Sequence, residues 1–235
     1  MTKFALATSQ RLISQQRFPT AELTQATLAT LLKEWPVERV VIASVVPKAA
    51  LLLTQFFKKK RVPLLSIDAA TDLGITLRYP NPSSIGADRL ANVVASTTLY
   101  GTPAIVVDFG TAITFDVIDK KGAYIGGIIA PGLTTGAKAL HHHTALLPCA
   151  TPSSIRRAVG KNTLTAIHSG LLLGARGLVQ EVITRVTKEN FASQRPIIIG
   201  TGGDAKLVAQ GTKLFDVVNP ELTLEGLREI AKLQK

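Results

Sequence analysis

Residues 105–118 read IVVDFGTAITFDVI, and the reading of the whole chain turns on this stretch. Two apolar runs, Ala104 to Phe109 and Ala112 to Ile118, flank a Gly-Thr turn and predict two strands. Asp119-Lys120-Lys121-Gly122 turns the chain into a third run, Ala123 to Ile129, so an antiparallel meander is expected. Asp108 stands just before the turn and Asp116 beyond it. A carboxylate in so apolar a run is costly to bury alone, so each needs a partner or a task.

Upstream, Phe4 to Ile13 is strand material, and Thr20 can cap a helix that places Leu23, Leu28, Leu31, Leu32 and Trp35 near one face. Arg39 to Val46 is the near-continuous apolar run of a strand buried on both faces. Pro47 suits the first turn of the next helix, and Pro63 to Ile67 is another short strand. In YPNPSSIGADRL, Pro80 and Pro82 force an extended loop before Ser83 or Ser84 caps a helix beginning near Gly86. Downstream come a Pro131-Gly132 turn, a helical stretch through Leu140, a loop at Pro148 to Ser154 and a long helix from about Asn162 to Lys188. A buried strand, Pro196 to Ile199, runs into Thr201-Gly202-Gly203 and a helix, and Leu222, Leu224 or Gly226, Leu227 and Ile230 mark a closing helix. This alternation predicts a layered α/β fold, in two lobes of similar size covering 1–103 and 104–235.

The 235 residues, 46% of them hydrophobic and 18% charged, are enough for a substantial core without disulfides. Cys149 is the single cysteine, which excludes an intramolecular disulfide framework and any zinc site built on cysteines. The N-terminal residues MTKFALATSQRLISQQRF lack the parts of a secretory signal, so a cytoplasmic location is expected. Leu90 to Val107 carries no formal charge, but Asn92, Ser96, Thr97, Thr98, Gly101 and Pro103 break it up, and no membrane span is expected. The net charge of +11 could attract nucleic acid or small anions. Outside Lys58-Lys59-Lys60-Arg61 and the group Arg156, Arg157 and Lys161, however, the basic residues are scattered and not interleaved with aromatics, so no nucleic-acid partner is expected.

Four stretches join glycine to a carboxylate or hydroxyl: Gly86-Ala87-Asp88-Arg89, Asp108-Phe109-Gly110-Thr111, Gly126-Gly127 with Pro131-Gly132, and Thr201-Gly202-Gly203-Asp204. Glycine lets backbone N–H groups close on phosphate oxygens while a nearby carboxylate holds a cation, so the repetition points to nucleotide phosphates. Each has a plainer reading. Asp108 can be a turn carboxylate, Asp88 a first-turn acid complementing the helix dipole, Arg89 a surface cation, and Thr201-Gly202-Gly203 a strand-to-helix connection. His141, His142 and His143 are consecutive and do not converge on one ion as i, i+4 pairs do. There is no GxxxxGK[ST], no GxGxxG opening a helix after a strand and no GxSxG.

In order, GADRLANVVAS, VVDFGTAITFDVID, GAYIGGIIAPGL, GKNT and IIIGTGGDA resemble the type III pantothenate kinases, in the superfamily that also holds actin, sugar kinases and heat-shock ATPases. The resemblance spans essentially the whole chain. It implies two ribonuclease-H-like lobes with mixed sheets, a homodimer, and ATP-dependent phosphorylation of pantothenate to 4'-phosphopantothenate, the first step of coenzyme A synthesis. It further implies Asp88 as general base, with Gly86, Ala87, Asp88 and Arg89 around the substrate and Tyr79 nearby. Asp108 would hold a potassium or ammonium ion, Thr111 with Gly110, Gly202 and Gly203 would bind ATP, which comes with magnesium, and Thr163 would reach pantothenate in the neighbouring subunit. Asp116 is expected to be structural.

The resemblance also implies an opening strand and an Asp-x-Gly-Asn-Thr/Ser phosphate hairpin, whereas Met1-Thr2-Lys3-Phe4-Ala5-Leu6 matches the family just after that point. The expectation is therefore that Met1 is not the natural start, or that catalysis by this chain is impaired. Two alternatives stand beside the kinase: a non-catalytic regulatory relative of the Bvg accessory factor kind, and another phosphotransferase of the superfamily.

Overall fold

The computed structural model describes residues 1–191 and 194–234. The chain divides into two compact units, one made of Met1–Leu99 with the chain from Leu222 onward, the other of Tyr100–Glu221.

The first unit opens with a hairpin, β1 (Thr2–Ala7) antiparallel to β2 (Leu12–Phe18), Phe4 facing Gln16. The run expected as one strand is thus broken, because the Thr8 hydroxyl accepts the N–H groups of Gln10 and Arg11, both at 3.3 Å, and turns the chain. Thr20 opens only a short 3-10 turn after Pro19. The helix α1 (Gln25–Leu31) is capped instead by Thr24, whose hydroxyl accepts from Thr27 N–H while Thr27 accepts from Thr24 N–H. Strand β3 (Val40–Ile42) pairs in parallel with β4 (Leu64–Ser66), joined by α2 (Pro47–Lys59) with proline in its first turn. Helix α2 buries one face, Ala49, Leu53, Phe56 and Phe57, the last three packing with Leu28, Leu32 and Ile42.

Two helices complete this unit, α3 (Ala87–Leu99) and α7 (Leu222–Leu233). They cross at Gly226, where a Cβ would stand 1.9 Å from the Ala91 carbonyl oxygen, so only glycine permits the approach. Beside the crossing, the Thr223 hydroxyl donates to Oδ1 of the fully buried Asn92 at 2.8 Å. Further along α7, buried Glu229 takes Arg228 Nη2 at 2.5 Å and Lys232 Nζ at 2.8 Å.

The second unit is built on a five-stranded mixed sheet in the order β7-β6-β5-β8-β9. The antiparallel meander expected from the sequence is there: β5 (Ala104–Phe109), β6 (Ala112–Ile118) and β7 (Tyr124–Pro131). On the other side of β5, β8 (Ile197–Gly202) and β9 (Val217–Val218) run parallel. One face of the sheet packs Ile105, Val107, Phe109, Ile113 and Phe115 against Leu172, Ala175 and Val179 of α5 (Thr163–Asn190). Each such large side chain contributes roughly 1.5–3 kcal/mol on burial. Helices α4 (Leu133–His142) and α6 (Ala205–Ala209) follow β7 and β8. Among the described residues no helix is long and apolar enough to cross a membrane.

Candidate functional site

Helix α3 begins where the Pro80/Pro82 loop ends, after a 3-10 turn at Pro82–Ser84. Asp88 lies in its first turn, half-buried, and its Oδ1 accepts the backbone N–H of Arg89 at 2.9 Å. The carboxylate folds back over Gly86, whose Cβ, if present, would stand 2.6 Å from Oδ1 and 3.5 Å from Val45 beyond β3. Glycine at 86 therefore lets the Asp88 carboxylate lie at the start of the helix. Ala87 is buried beneath it, Arg89 is half-buried, and Tyr79 lies exposed on the preceding loop. The structure thus groups Gly86, Ala87, Asp88 and Arg89 at one helix terminus.

In the second unit, Asp108 is the penultimate residue of β5, half-buried, opposite Thr114 on β6 and Thr201 on β8. Gly202 closes β8 at φ +91°, and a Cβ on it would meet Asp108 Oδ1 at 2.4 Å, Phe109 O at 2.6 Å and Phe109 N at 2.7 Å. The Asp108 carboxylate and the Phe109 backbone therefore pack directly on Gly202, where no side chain fits. A carboxylate is the hard oxygen donor that an alkali or alkaline-earth cation takes, and Asp108 supplies one at this strand end. Thr201, opposite Asp108 on β8, is fully buried, and its hydroxyl has no hydrogen-bond partner among the described residues.

The Gly110-Thr111 turn is exposed and its backbone is fixed from outside. Gly110 N–H donates to Ala112 O at 3.0 Å, and the Thr111 carbonyl accepts both Gly132 N–H at 3.0 Å and the Thr135 hydroxyl at 2.6 Å. A Cβ on Gly132 would fall 2.2 Å from Gly110 O, so the start of α4 lies directly on this turn. Past Gly203, Asp204 N–H donates to Phe109 O at 3.4 Å, and burial pushes the Asp204 carboxyl above its usual range. Asp108, Gly110, Thr111, Gly202 and Gly203 accordingly share one end of the β5–β8 pair. Thr135 was not evident in the sequence, because it acts on a backbone carbonyl 24 residues away.

Thr163 is the first residue of α5 and is exposed. Asn162 caps that helix by accepting Thr165 N–H at 2.9 Å, and Gly160 lies so close to the first turn that a Cβ would stand 2.3 Å from Ala166 N. The GKNT stretch is therefore a rigid mount for Thr163. Among the described residues no three His, Cys, Asp or Glu side chains gather as a metal cluster, and His141 hydrogen-bonds the Leu147 carbonyl at 2.8 Å.

Comparison with known proteins bears on what these groups do. A family model for type III pantothenate kinase matches residues 1–185. A type III pantothenate kinase of Akkermansia muciniphila is 42% identical over 233 residues, covering 99% of this chain and 94% of that protein. One from Methylacidiphilum infernorum is 40% identical, over 99% of this chain and 85% of its own length. One from Gluconobacter oxydans is 45% identical over 83% of this chain and 72% of its length. Among solved structures, a Baf family transcriptional activator from Campylobacter jejuni superposes with a TM-score of 0.59, covering 88% of each chain at 21% identity, which bears on the fold alone.

Proposed function

Because this chain belongs to the type III pantothenate kinase family, we propose that it phosphorylates pantothenate from ATP with Asp88 as the general base and the β5–β8 end as the nucleotide site. The observation that carries the catalytic assignment is the state of Asp88: a half-buried carboxylate, oriented by one backbone N–H at 2.9 Å, in the first turn of a buried helix. A primary alcohol is a weak nucleophile, so a fixed carboxylate that takes its proton as the new P–O bond forms accelerates transfer roughly 10²- to 10⁴-fold. The γ-phosphoryl group passes to the substrate oxygen, the proton to Asp88, and ADP leaves. Most of the remaining barrier is lowered by positioning and by charge stabilisation.

Arg89, the next residue on α3, offers a planar guanidinium fork for the carboxylate of pantothenate, with Tyr79, Gly86 and Ala87 bounding the substrate. Thr111, Gly110, Gly202 and Gly203 receive the nucleotide, Gly110, Thr111 and Gly203 being exposed and the glycines allowing phosphate to approach the backbone closely. Asp108 holds a potassium or ammonium ion, which offsets carboxylate and phosphate charge when bound; magnesium enters with ATP. Thr163 serves pantothenate in a homodimer, its rigid mount at the start of α5 suiting a residue offered to a second subunit.

A pantothenate-dependent ATP consumption assay tests this reading. Asp88→Asn is expected to leave substrate binding near that of the native chain and to lower kcat by roughly two to four orders of magnitude. Undiminished turnover by that variant would assign the base elsewhere, and an absence of pantothenate-dependent turnover in the native chain would favour a regulatory role.

A further inference from the structure

Arg176 lies midway along α5, and its guanidinium is directed entirely at one short element. Nε donates to Val208 O at 2.9 Å, and Nη2 to Leu207 O at 3.5 Å and Gln210 O at 2.5 Å. Leu207 and Val208 lie in α6, a helix of five residues, and Gln210 is its C-cap. So short a helix makes few bonds of its own, here Val208 N–H to Asp204 O at 3.0 Å and Gln210 N–H to Lys206 O at 3.1 Å. The last carbonyls of a helix have no partner within it, and a cation there also complements their dipoles.

At its other end α6 grows out of Gly202-Gly203-Asp204, with Asp204 N–H on the Phe109 carbonyl. The element is therefore held at two points, by β5 in front and by Arg176 behind. We propose that Arg176 is a positioning residue for ATP: by clamping α6 to α5 it fixes where the Gly202-Gly203 turn presents its backbone. The proposal rests on the reading of that turn as the nucleotide site. It adds a mechanical link, since the same α5 begins at Thr163. At about 1.5 Å per residue the thirteen residues from Thr163 to Arg176 span about 20 Å, so one rigid rod joins the proposed pantothenate residue to the ATP element.

The test measures KM for each substrate, and the affinity of a non-hydrolysable ATP analogue by calorimetry, in the native chain, Arg176→Met and Arg176→Lys. Methionine keeps the apolar stem; lysine keeps the charge but replaces the two-pronged guanidinium with a single ammonium. For Arg176→Met, KM for ATP and the analogue's Kd should rise about tenfold while KM for pantothenate at saturating ATP stays within about twofold. Arg176→Lys should fall between, and it carries the test should the methionine variant not fold. Equal changes for both substrates, or unchanged analogue binding in a folded variant, would overturn the positioning role alone. Failure of the native chain to bind the analogue would overturn it together with the nucleotide assignment.

Discussion

Gly202→Ala is expected to be among the most damaging single-methyl additions in the second unit. The residue sits at φ +91°, a region that costs an L-residue with a Cβ roughly 1–2 kcal/mol. The new methyl would stand 2.4 Å from Asp108 Oδ1, 2.6 Å from Phe109 O and 2.7 Å from Phe109 N. The carboxylate can swing away, but the two backbone atoms belong to the strand paired with β8, so relief requires β5 and β8 to part at their shared end. Overpacking against a backbone adds about 1–3 kcal/mol, for a total of roughly 2–5 kcal/mol. Urea denaturation followed by circular dichroism gives the loss directly, and Gly177→Ala serves as the control. No atom lies within 4 Å of a Cβ at 177 and the site is inside α5, so that change should stabilise by about 0.5–1 kcal/mol. Adding Asp108→Ala to Gly202→Ala should recover only a minor part of the loss, because both backbone clashes persist. A Gly202→Ala chain with a native denaturation midpoint and native KM for ATP would refute the close approach of β5 to Gly202.

Asp108→Asn should weaken the stimulation of turnover by potassium or ammonium, and an unchanged cation titration would remove the ion from that carboxylate. Light scattering at assay concentration should give a dimer, whereas a clean monomer near 25.0 kDa would take Thr163 out of the site. Gly226→Ala should cost more than about 3 kcal/mol, since its methyl would meet the Ala91 carbonyl at 1.9 Å; full retention of Tm would contradict the α3–α7 crossing. For Glu229, burial alone would push the carboxyl up, but hydrogen bonds and charges from Lys232 and Arg228 hold it below the usual range. Its contribution is therefore present above the ordinary carboxylate pKa and is lost as pH falls through the lowered value. Glu229→Gln should accordingly destabilise at neutral pH, with the difference from the native chain shrinking in acid; a pH-independent difference in Tm would show that the charge is not responsible.

What could be read from the sequence was what depends on neighbours along the chain. The meander from Ala104 to Pro131 is legible because its strands are apolar, its turns carry Gly110-Thr111 and Lys121-Gly122, and its pairing is between consecutive strands. The first hairpin was not, because Thr8-Ser9-Gln10-Arg11 contains neither glycine nor proline, and a threonine hydroxyl turns the chain instead. The amphipathic pattern of α7 announces a buried face but not its destination, which is set by Gly226 meeting Ala91 135 residues earlier. Of the candidate site, the glycines and carboxylates stood out as residue types in motifs. Thr135 and Arg176 did not, since both act on backbone carbonyls, which every residue carries and no local pattern marks.

The second unit is spliced into the first: Tyr100–Glu221 leaves after α3, and the chain then returns as α7. Within the inserted unit the two ends meet, Asn219 Nδ2 donating to the Tyr100 hydroxyl at 2.9 Å. On a ribosome this order has a temporal meaning. The lobe translated first cannot finish, because α3, with fully buried Leu90, Ala91, Asn92 and Val93, waits bare for a helix still to be synthesised. The lobe translated second has its whole sheet in hand by Val218 and can close at once. The helix that carries Asp88 is therefore seated only once α7 has emerged, and a nascent chain stalled short of α7 would hold a closed second unit and an unfinished first one.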